Sequence, residues 1–501
     1  MAKYIMSNRR AGKFQDSEKL ASRGSLEAVK TSNFMLGSSI IEENSPKHET
    51  SRKTVVFEAE PAEMAAKRDS LPDDVMVEPE ILHYKDTFRP MDFLLSDRSE
   101  LSGPVEFGNI KEIKVKVRGG GKPLEGARVI LFLRSSQNVG REIELVTNPS
   151  GEVNFRFSHF FSASALVIVP VGGFWPMVVR GPRRTTTVTM PPLPKAATFK
   201  GWWHRQMGIR SYNAELGTGV RIGIIDTGIG PHLDLKHAHD IGAFIDGGFD
   251  PSGGTDVDSH GTHVSGSIGA RPQDSKSYGG IAPGATLYSA RVFPKGKGAN
   301  QGDIANAIDE LSKEVGVDLI NMSLGAPQGS DIERDAIQDA LERGTLCICA
   351  AGNSNGPVEF PAAFSETIAV SAIGLLGWGP EGSIPSNRLP QTSDRFGDNN
   401  LFHANFSCFG PLISAAGPGV GIIAPVPERF GQIAPYASMG GTSMASPLVC
   451  GALAVILSKS DEYLAMARNN SRALMAKFLL RQNAQSIGMA NIFQGEGMPK
   501  V

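Results

Sequence analysis

From residue 200 onward the apolar and polar positions alternate between two patterns. Short apolar runs typical of buried strands occur at Val220–Ile225, Thr286–Val292, Asp318–Met322, Leu346–Ala350 and Thr367–Ala372. Between several of them lie stretches with helical periodicity, notably Asp303–Val315 and Ile332–Arg343. This alternation predicts an α/β fold in which a parallel sheet carries helices on both faces. In such sheets the functional site lies beyond the carboxyl ends of the strands.

The first 84 residues carry a different order of patterns, which predicts a small mixed domain. The predicted elements are a strand at Lys3–Met6, a helix at Gln15–Val29, strands at Asn33–Ile41 and Thr54–Glu60, a helix at Glu63–Leu71 and a strand at Val75–Tyr84. This β-α-β-β-α-β order is the split βαβ arrangement.

Residues 105–190 alternate apolar and polar positions over short segments separated by turn signals. The predicted strands are Lys111–Val117, Ala127–Leu133, Glu142–Thr147, Val153–Phe157, Ala165–Val169, Pro176–Val179 and Thr185–Met190. Strands with this length and spacing predict an antiparallel β-sandwich. A proline-rich linker, Pro191–Pro194, follows. We therefore expect three domains, at residues 1–84, 105–190 and 200–501.

Charge and composition narrow the class of protein. The 501 residues include 50 Lys and Arg against 52 Asp and Glu, a net charge of −2, which argues against a nucleic-acid partner bound through bulk positive charge. No apolar run approaches the roughly 18 residues of a membrane span. Met1–Leu20 lacks the basic and apolar regions of a secretory signal. We therefore expect a cytoplasmic protein, with export by another route left open. Four cysteines exclude a disulfide scaffold.

Three segments carry side chains suited to nucleophilic catalysis. Asp226 ends an apolar strand, His260 opens a probable helix among small residues, and Ser443 follows two glycines at the start of another helix. A serine hydroxyl needs a base to take its proton, and the base needs an acid to hold its tautomer. We expect His260 to turn one nitrogen to Asp226 and the other to Ser443. The helix N-terminus at Ser443 would also favour an oxyanion.

A fourth segment supplies a candidate donor for that oxyanion. Asn353 follows the buried strand Leu346–Ala350 and two small residues. Its amide could donate to the developing negative charge, as could the backbone N–H of Ser443. Taken one at a time, these residues are more often ordinary caps and turns. Their joint occurrence in one chain favours a catalytic site.

The order Asp, His, Ser along the chain is that of the subtilisin lineage. Residues 200–501 resemble a subtilisin-like serine protease through motifs that occur in the same order in that family. These motifs are Asp226-Thr227-Gly228, His260-Gly261-Thr262-His263-Val264, Asn321-Met322-Ser323-Leu324-Gly325, Ala351-Gly352-Asn353 and Gly441-Thr442-Ser443-Met444-Ala445-Ser446-Pro447. The resemblance implies a serine endopeptidase that uses the four residues singled out above.

The resemblance also implies roles for other segments. Ser323-Leu324-Gly325 and Gly296-Lys297-Gly298 are similar to the two strands that hold an extended substrate between them. Residues 1–84 resemble the family's inhibitory propeptide, best at Val77–Tyr84. The stretch at 105–190 resembles carboxypeptidase-regulatory or transthyretin-like modules, through Pro123–Ala127 and Asn148–Val153.

Glu359 is the candidate for substrate specificity. It precedes Phe360-Pro361-Ala362 and so falls where many family members carry a small neutral residue at the floor of the primary pocket. A partly desolvated carboxylate there would favour lysine or arginine before the scissile bond. In the alternative, Glu359 turns to solvent and the pocket stays apolar.

The sequence implies no required cofactor but leaves structural calcium possible. Asp234 matches the acid that relatives use for calcium, whereas the loop Arg271–Gly280 has Asp274 but lacks their asparagine-rich pattern. We interpret His263 as a core histidine. The group His232, His237 and His239 is read as a solvated loop, since no carboxylate or helical register accompanies it.

These observations together predict a serine endopeptidase made as a self-processing zymogen. Its partners would be protein or peptide substrates and its own propeptide, with no nucleic acid and no membrane span. Two other functions stay open on the sequence alone. A peptide ligase or macrocyclase would use the same triad, and a binding protein would work through the sandwich while the protease domain is inactive.

Overall fold

The structure is a computed structural model, and it describes residues 1–9, 16–44, 50–85, 110–136, 139–428 and 434–501. Gln15, where the first helix is predicted to begin, and residues 105–109 of the predicted sandwich lie outside the described residues. We refer to residues 1–85 as the N-terminal segment, 110–190 as the middle segment and 201–501 as the C-terminal segment.

The N-terminal segment is a four-stranded antiparallel sheet with two helices. Its elements are β1 (Ala2–Asn8), α1 (Asp16–Lys30), β2 (Ser39–Glu43), β3 (Thr54–Ala59), α2 (Pro61–Lys67) and β4 (Val75–Pro79), with strand order β2-β3-β1-β4. Because side chains alternate across a strand, Tyr4 and Phe57 lie in the core under the helices. Ile5 and Val56 face the other way and join the core of the C-terminal segment.

Two predicted strands of this segment differ from the structure. Residues Asn33–Met35 form a 3-10 turn, and the strand begins only at Ser39. The stretch Val75–Tyr84 is two strands, because after Pro79 the chain leaves the sheet toward the C-terminal segment, where the Ile81 amide donates to Gln301 Oε1 at 2.9 Å. The second strand is β5 (Leu82–Lys85).

The middle segment consists of two sheets packed face to face. Its strands are β6 (Ile110–Gly119), β7 (Lys122–Pro123), β8 (Arg128–Ser135), β9 (Gly140–Val146), β10 (Glu152–Ser158), β11 (Phe161–Val169), β12 (Met177–Arg180) and β13 (Thr185–Met190). One sheet has the order β10-β6-β13 with β7 beside β6, and the other has the order β12-β11-β8-β9. A shared apolar core lies between them.

The expectation of a purely antiparallel sandwich is wrong at one pair of strands. β13 runs parallel to β6, with Thr185 opposite Lys114. The chain reaches β13 from β12 in the other sheet instead of through a hairpin, and such a crossover can bring a strand back in the same direction.

The C-terminal segment is built around a nine-stranded sheet. The strands of the whole segment, including those outside this sheet, are β14 (Arg221–Asp226), β15 (His239–Ile245), β16 (Gly248–Asp250), β17 (Thr286–Arg291), β18 (Ala299–Asn300), β19 (Leu319–Met322), β20 (Leu324–Gly325), β21 (Leu346–Ala350), β22 (Ile368–Leu375), β23 (Leu401–His403), β24 (Ala415–Pro418), β25 (Ile422–Pro425), β26 (Tyr436–Met439), β27 (Ala484–Gln485) and β28 (Met498–Pro499). The sheet order is β16-β15-β17-β14-β19-β21-β22-β23, with β24 also paired to β22. Only β16 and β23 pair antiparallel in it.

Helices cover both faces of this sheet. They are α3 (Trp202–Gln206), α4 (His260–Gly269), α5 (Gln301–Asp309), α6 (Asp331–Glu342), α7 (Thr442–Ser458), α8 (Asp461–Ala465), α9 (Asn470–Asn483) and α10 (Asn491–Gln494), and α5 continues as a π-helical turn to Val315. Ile224 packs into the core beneath α4 and α7, whereas the next residue, Ile225, packs beneath α5 and α6. Burial on both faces explains why these strands are continuous apolar runs.

The middle segment contacts the C-terminal segment through aromatic and backbone interactions. The rings of Trp175 and Trp378 meet edge to face with centroids 5.5 Å apart. The Val178 amide donates to the Gly382 carbonyl at 2.7 Å. Among the helices that the structure describes, none has both the length and the apolar composition needed to cross a bilayer.

Candidate active site

Asp226 and His260 meet at the carboxyl end of the central strands. Asp226 is the last residue of β14, and His260 is the first residue of α4. The distance from His260 Nδ1 to Asp226 Oδ1 is 2.7 Å, and both side chains are buried. A carboxylate at this distance holds the proton on Nδ1, so that Nε2 carries the lone pair.

A second acid, Asp256, fixes the turn that precedes His260. Its Oδ2 accepts hydrogen bonds from the backbone N–H and the hydroxyl of Thr262, and its Oδ1 accepts one from the Thr227 hydroxyl at 2.8 Å. The Thr227 hydroxyl in turn accepts from the Gly261 amide at 2.8 Å. These bonds tie the end of β14 to the start of α4. Asp256 is not predicted from the sequence, because it lies four residues before His260 among ordinary turn residues.

The other imidazole nitrogen of His260 is buried and, among the described residues, has no hydrogen-bond partner. A buried polar atom without a partner is rare, because it has lost its hydrogen bonds to water. With Nδ1 committed to Asp226, Nε2 is the atom left to accept a proton from a hydroxyl.

Ser443 lies in the first turn of α7, which packs against α4. Its hydroxyl donates to the Ser323 carbonyl at 3.1 Å, and the Ser323 hydroxyl donates to the Ser443 carbonyl at 2.9 Å. Gly441, two residues before Ser443, has φ of 150°, a conformation that favours glycine. This pair of bonds fixes Ser443 beside the strand that contains Leu324 and Gly325.

Asn353 is placed beside the same helix start. Its Oδ1 accepts from the Thr442 amide at 2.9 Å and from the Thr442 hydroxyl at 3.1 Å. Gly352 before it has φ of 108°, which turns the chain sharply after β21. The amide oxygen of Asn353 is thus bound to Thr442, and the NH₂ group is the donor end of the side chain.

Strand β5 of the N-terminal segment lies between two short strands of the C-terminal segment. Leu324 and Gly325 of β20 pair with Lys85 and Tyr84 on one side. On the other side Ala299 of β18 pairs with His83. All three strands form one antiparallel sheet in the order β18-β5-β20. The predicted substrate-binding strand Ser323-Leu324-Gly325 therefore does pair with an extended chain.

The strand on the other side of β5 lies slightly further along the chain than predicted. The predicted strand is Gly296-Lys297-Gly298, but the residues that pair with β5 are Ala299 and Asn300. Lys297 belongs to a turn, since its amide donates to the Pro294 carbonyl at 3.3 Å and Gly296 has φ of 73°. Gly298 still touches β5, because a Cβ there would lie 2.8 Å from the His83 carbonyl oxygen.

The Glu359 side chain turns toward the protein. A Cβ placed on Gly352 would lie 2.7 Å from Glu359 Cδ, and Cys408 Sγ is 4.0 Å from Glu359 Oε1. The carboxylate thus lies beside the glycine that precedes Asn353. This position speaks against the alternative in which Glu359 swings out to solvent.

His263, His232 and His239 each have local contacts away from the catalytic residues. His263 Nε2 lies 3.1 Å from the Ile422 carbonyl, and burial lowers the pKa of His263 to about 3, so that the ring is neutral. His232 Nδ1 accepts from the Asp234 amide at 3.0 Å, and the His239 ring stacks on Tyr288. His232 is buried, so the prediction of a solvated loop is wrong there; its ring caps a short 3-10 turn.

An acid, an imidazole and a serine at the carboxyl end of a parallel sheet have the chemistry of a serine hydrolase. The sequence profile of the Subtilase family matches residues 217–497. The chain is 34% identical to subtilisin DY of Bacillus licheniformis over 249 residues, 48% of this chain and 78% of that protein. It is 31% identical to subtilisin Savinase of Lederbergia lenta over 283 residues, 56% of this chain and 89% of that protein. An alkaline protease of Alkalihalobacillus alcalophilus is 31% identical over 56% of this chain and 63% of its own length.

The chain therefore belongs to the subtilase family. It is a subtilisin-like serine protease, a hydrolase that cuts peptide bonds as a serine endopeptidase. The expectation of a cytoplasmic protein is wrong. The finding that overturns it is that the related subtilisins and alkaline proteases are secreted, extracellular enzymes.

Subtilases need no organic cofactor and commonly bind structural calcium. The residues suggested for calcium do not fit a site here. Asp234 Oδ2 accepts a hydrogen bond from the Tyr436 hydroxyl, and burial raises the pKa of Asp234. Asp274 Oδ1 accepts from the Lys276 amide at 2.8 Å within its own loop. Within the described ranges no three His, Cys, Asp or Glu residues are grouped to hold a metal ion.

Proposed function

We propose that this protease is made as a self-processing zymogen and cuts peptide bonds through Ser443, His260, Asp226 and Asn353. The observation that carries the proposal is the His260 ring. Its Nδ1 lies 2.7 Å from Asp226, and its Nε2 is buried without a partner among the described residues. That arrangement is what a base needs to accept the Ser443 proton.

Acylation begins when the Ser443 hydroxyl gives up its hydrogen bond to the Ser323 carbonyl and donates to His260 Nε2 instead. His260 takes the proton as Oγ attacks the carbonyl carbon of the substrate, and a tetrahedral intermediate forms. The imidazolium then gives this proton to the leaving amine, and the C–N bond breaks. Asp226 stabilises the positive ring throughout and keeps its own charge.

Deacylation repeats the same steps with water in place of the serine. His260 removes a proton from the water, whose oxygen attacks the acyl-enzyme carbonyl. The proton returns to Ser443 Oγ as the ester bond breaks, which releases the new carboxyl terminus.

The oxyanion of both intermediates would be held by two donors. These are the Asn353 NH₂ group and the backbone N–H of Ser443 at the start of α7. Donors that are already oriented need no rearrangement as charge develops, so one of them is worth about 100- to 1000-fold in rate.

In this proposal residues 1–84 form the propeptide domain, 105–190 a regulatory-like sandwich and 200–501 the catalytic domain. The pairing of β5 with β18 and β20 supports an inhibitory role, because a substrate would bind between the same strands. Since the propeptide-like part ends at β5, we expect self-cleavage soon after it, with the sandwich left on the mature enzyme.

Mass spectrometry of the purified full chain over time tests the proposal. We expect the intact mass to give way to two fragments that separate the N-terminal segment from the remainder, followed by casein hydrolysis. The Ser443→Ala chain should keep its full mass. Fragmentation of that variant at the wild-type rate would contradict the assignment of Ser443, and a new N-terminus near residue 200 would contradict the assigned position of the sandwich.

A further inference from the structure

Strand β5 presents alternate side chains to the C-terminal segment. His83 is completely buried, Tyr84 is 45% exposed, and Lys85 is partly buried again. This is the period of two expected of a strand whose one face rests on the protein. His83 and Lys85 therefore report which side chains the cleft accepts on its inner face.

The His83 ring meets a buried carboxylate. His83 Nε2 lies 3.1 Å from Glu333 Oε2, and neither side chain has any exposed surface. Glu333 belongs to the first turn of α6, where its backbone N–H is capped by the Ser330 hydroxyl. The second oxygen, Glu333 Oε1, is buried and has no hydrogen-bond partner among the described residues. A carboxylate in this state still requires nitrogen donors, and an apolar neighbour would leave it unpaired.

Lys85 meets a second carboxylate, close to the imidazole of the active site. Its Nζ lies 2.5 Å from Asp258 Oδ2, and Asp258 precedes His260 by two positions. Burial acts to raise the pKa of Asp258, but the charge and hydrogen bond of Lys85 outweigh it and leave that pKa below its usual range. Both side chains remain partly exposed, at 26% and 46%. This pair is therefore the weaker of the two.

The register of β5 relates these two pockets to the scissile bond. Lys85 lies opposite Leu324, so the next residue of a bound chain would lie opposite Ser323. The Ser323 carbonyl accepts the hydroxyl of Ser443, so that residue is the one presented to the nucleophile. A substrate in this register has its second residue before the scissile bond at the position of Lys85 and its fourth at the position of His83.

We propose that Glu333 and Asp258 are specificity-determining residues that select substrates with nitrogen-donor side chains at these two positions. The fourth position before the bond takes histidine, lysine or arginine, and the second takes lysine or arginine. An arginine at the fourth position could donate to both oxygens of Glu333, including the one that His83 leaves unused. The assignment rests on the proposed function, since it needs a substrate bound like β5.

A peptide panel with the processed enzyme tests this inference. The peptides differ only at the fourth and the second residue before the scissile bond. The fourth residue is Arg, Lys, His, Leu or Glu, and the second is Arg, Lys, Leu or Glu. We expect kcat/KM to fall about 30-fold or more from Arg to Leu at the fourth position. The fall at the second position should be about two- to fivefold. Glu333→Gln should remove the first preference only, and Asp258→Asn the second only.

Glu496→Gln is the matched control, since Glu496 lies in an exposed ion pair with Arg481 and should leave both preferences unchanged. For any one variant, the ratio of kcat/KM between two peptides does not depend on the fraction of enzyme that is folded. Wild-type enzyme that cleaves casein but turns over all peptides equally overturns the specificity inference alone. Wild-type enzyme that cleaves neither casein nor any peptide overturns the proposed function and the inference with it.

Discussion

Arg52 of the N-terminal segment lies 2.6 Å from Asp335 of the C-terminal segment, through Nη1 and Oδ2. Asp309 and Asp339 lie 3.2 and 3.5 Å from other nitrogens of the same guanidinium, which has no exposed surface. Burial acts to lower the pKa of Arg52, but the three carboxylates outweigh it and raise that pKa. A buried cation among three acids is a strong candidate for the anchor of the inhibitory segment.

We predict that Arg52→Met weakens inhibition when residues 1–85 are added to the processed enzyme. Removing the cation takes one positive partner away from three buried carboxylates, of which Asp309 and Asp339 still contact Arg343. Truncating one partner of a buried ion pair costs about 3–5 kcal/mol. The inhibition constant should therefore rise by about 100-fold or more. A titration of casein hydrolysis with each peptide segment measures it. Arg68→Met, at an exposed position, is the control and should inhibit like the wild-type segment. Equal inhibition by the Arg52→Met and wild-type segments would contradict the anchor role.

Ser443→Ala is expected to abolish casein hydrolysis and self-cleavage while the fold is kept. The hydroxyl makes one hydrogen bond, to the Ser323 carbonyl, so its loss should change stability by about 1 kcal/mol or less. Circular dichroism and thermal unfolding would check the fold, and casein hydrolysis the activity. Residual activity equal to wild type would show that another residue is the nucleophile.

Asn353→Ala is expected to lower kcat by about 100- to 1000-fold with little change in KM, because the amide acts on charge that exists only in the transition state. Steady-state kinetics on one peptide substrate measures both constants. Asn355→Gly is a suitable control, since Asn355 is exposed and its φ of 51° suits glycine. A rise in KM with kcat unchanged would instead assign Asn353 to substrate binding.

The local pattern of the sequence predicts much of the fold and the centre of the site. The strands Leu346–Ala350 and Thr185–Met190 form with the predicted bounds, because apolar or β-branched runs between turn residues determine them. Asp226, His260 and Ser443 can be proposed from the sequence because each stands at the end of a strand or the start of a helix, within two residues of a glycine.

Contacts between distant parts of the chain do not follow from local pattern. Arg52 and Asp335 are 283 positions apart, and His83 and Glu333 are 250 apart. In the sequence each is an ordinary charged or polar residue of a solvated face, and only the packing of one segment on another buries it. The strand Val75–Tyr84 is mispredicted for the same reason, since its second half pairs with the C-terminal segment.

Stability should fall with acid, because several histidines are buried in the neutral form. Burial lowers the pKa of His204 to about 4 and those of His263 and His403 to about 3. In the unfolded chain a histidine has a pKa of about 6.5, so below that pH the unfolded state binds protons that the folded state does not. The contribution of these histidines to the free energy of unfolding is therefore constant above about pH 6.5 and declines toward pH 4, by roughly 3 kcal/mol for a histidine like His204.

Urea unfolding of the Ser443→Ala chain at several pH values would measure this decline without self-digestion. His403 is the residue to replace, because its ring packs between Phe409 and Phe493 and a phenyl ring can take its place. His403→Phe should make the acid slope less steep, whatever it does to stability at neutral pH. An unchanged slope would mean that His403 takes up a proton in the folded state.

Glu359 is expected to give the primary pocket a preference for lysine or arginine immediately before the scissile bond. Its side chain is half-buried, and its carboxylate lies against Gly352, next to Asn353. A carboxylate in a partly desolvated pocket stabilises a cationic side chain and disfavours an apolar one. On peptides that differ only at this residue, kcat/KM for Lys and Arg should exceed that for Leu and Phe by about tenfold or more.

The Glu359→Gly enzyme separates this preference from those of the more distant pockets. It should lose the preference for Lys and Arg at the first position, and turnover of Leu and Phe peptides should rise, because the pocket floor becomes small and uncharged. Preferences at the second and fourth positions should persist, since Asp258 and Glu333 remain. If the wild-type and Glu359→Gly enzymes rank the four peptides alike, the carboxylate does not face the substrate, and the pocket is apolar despite it.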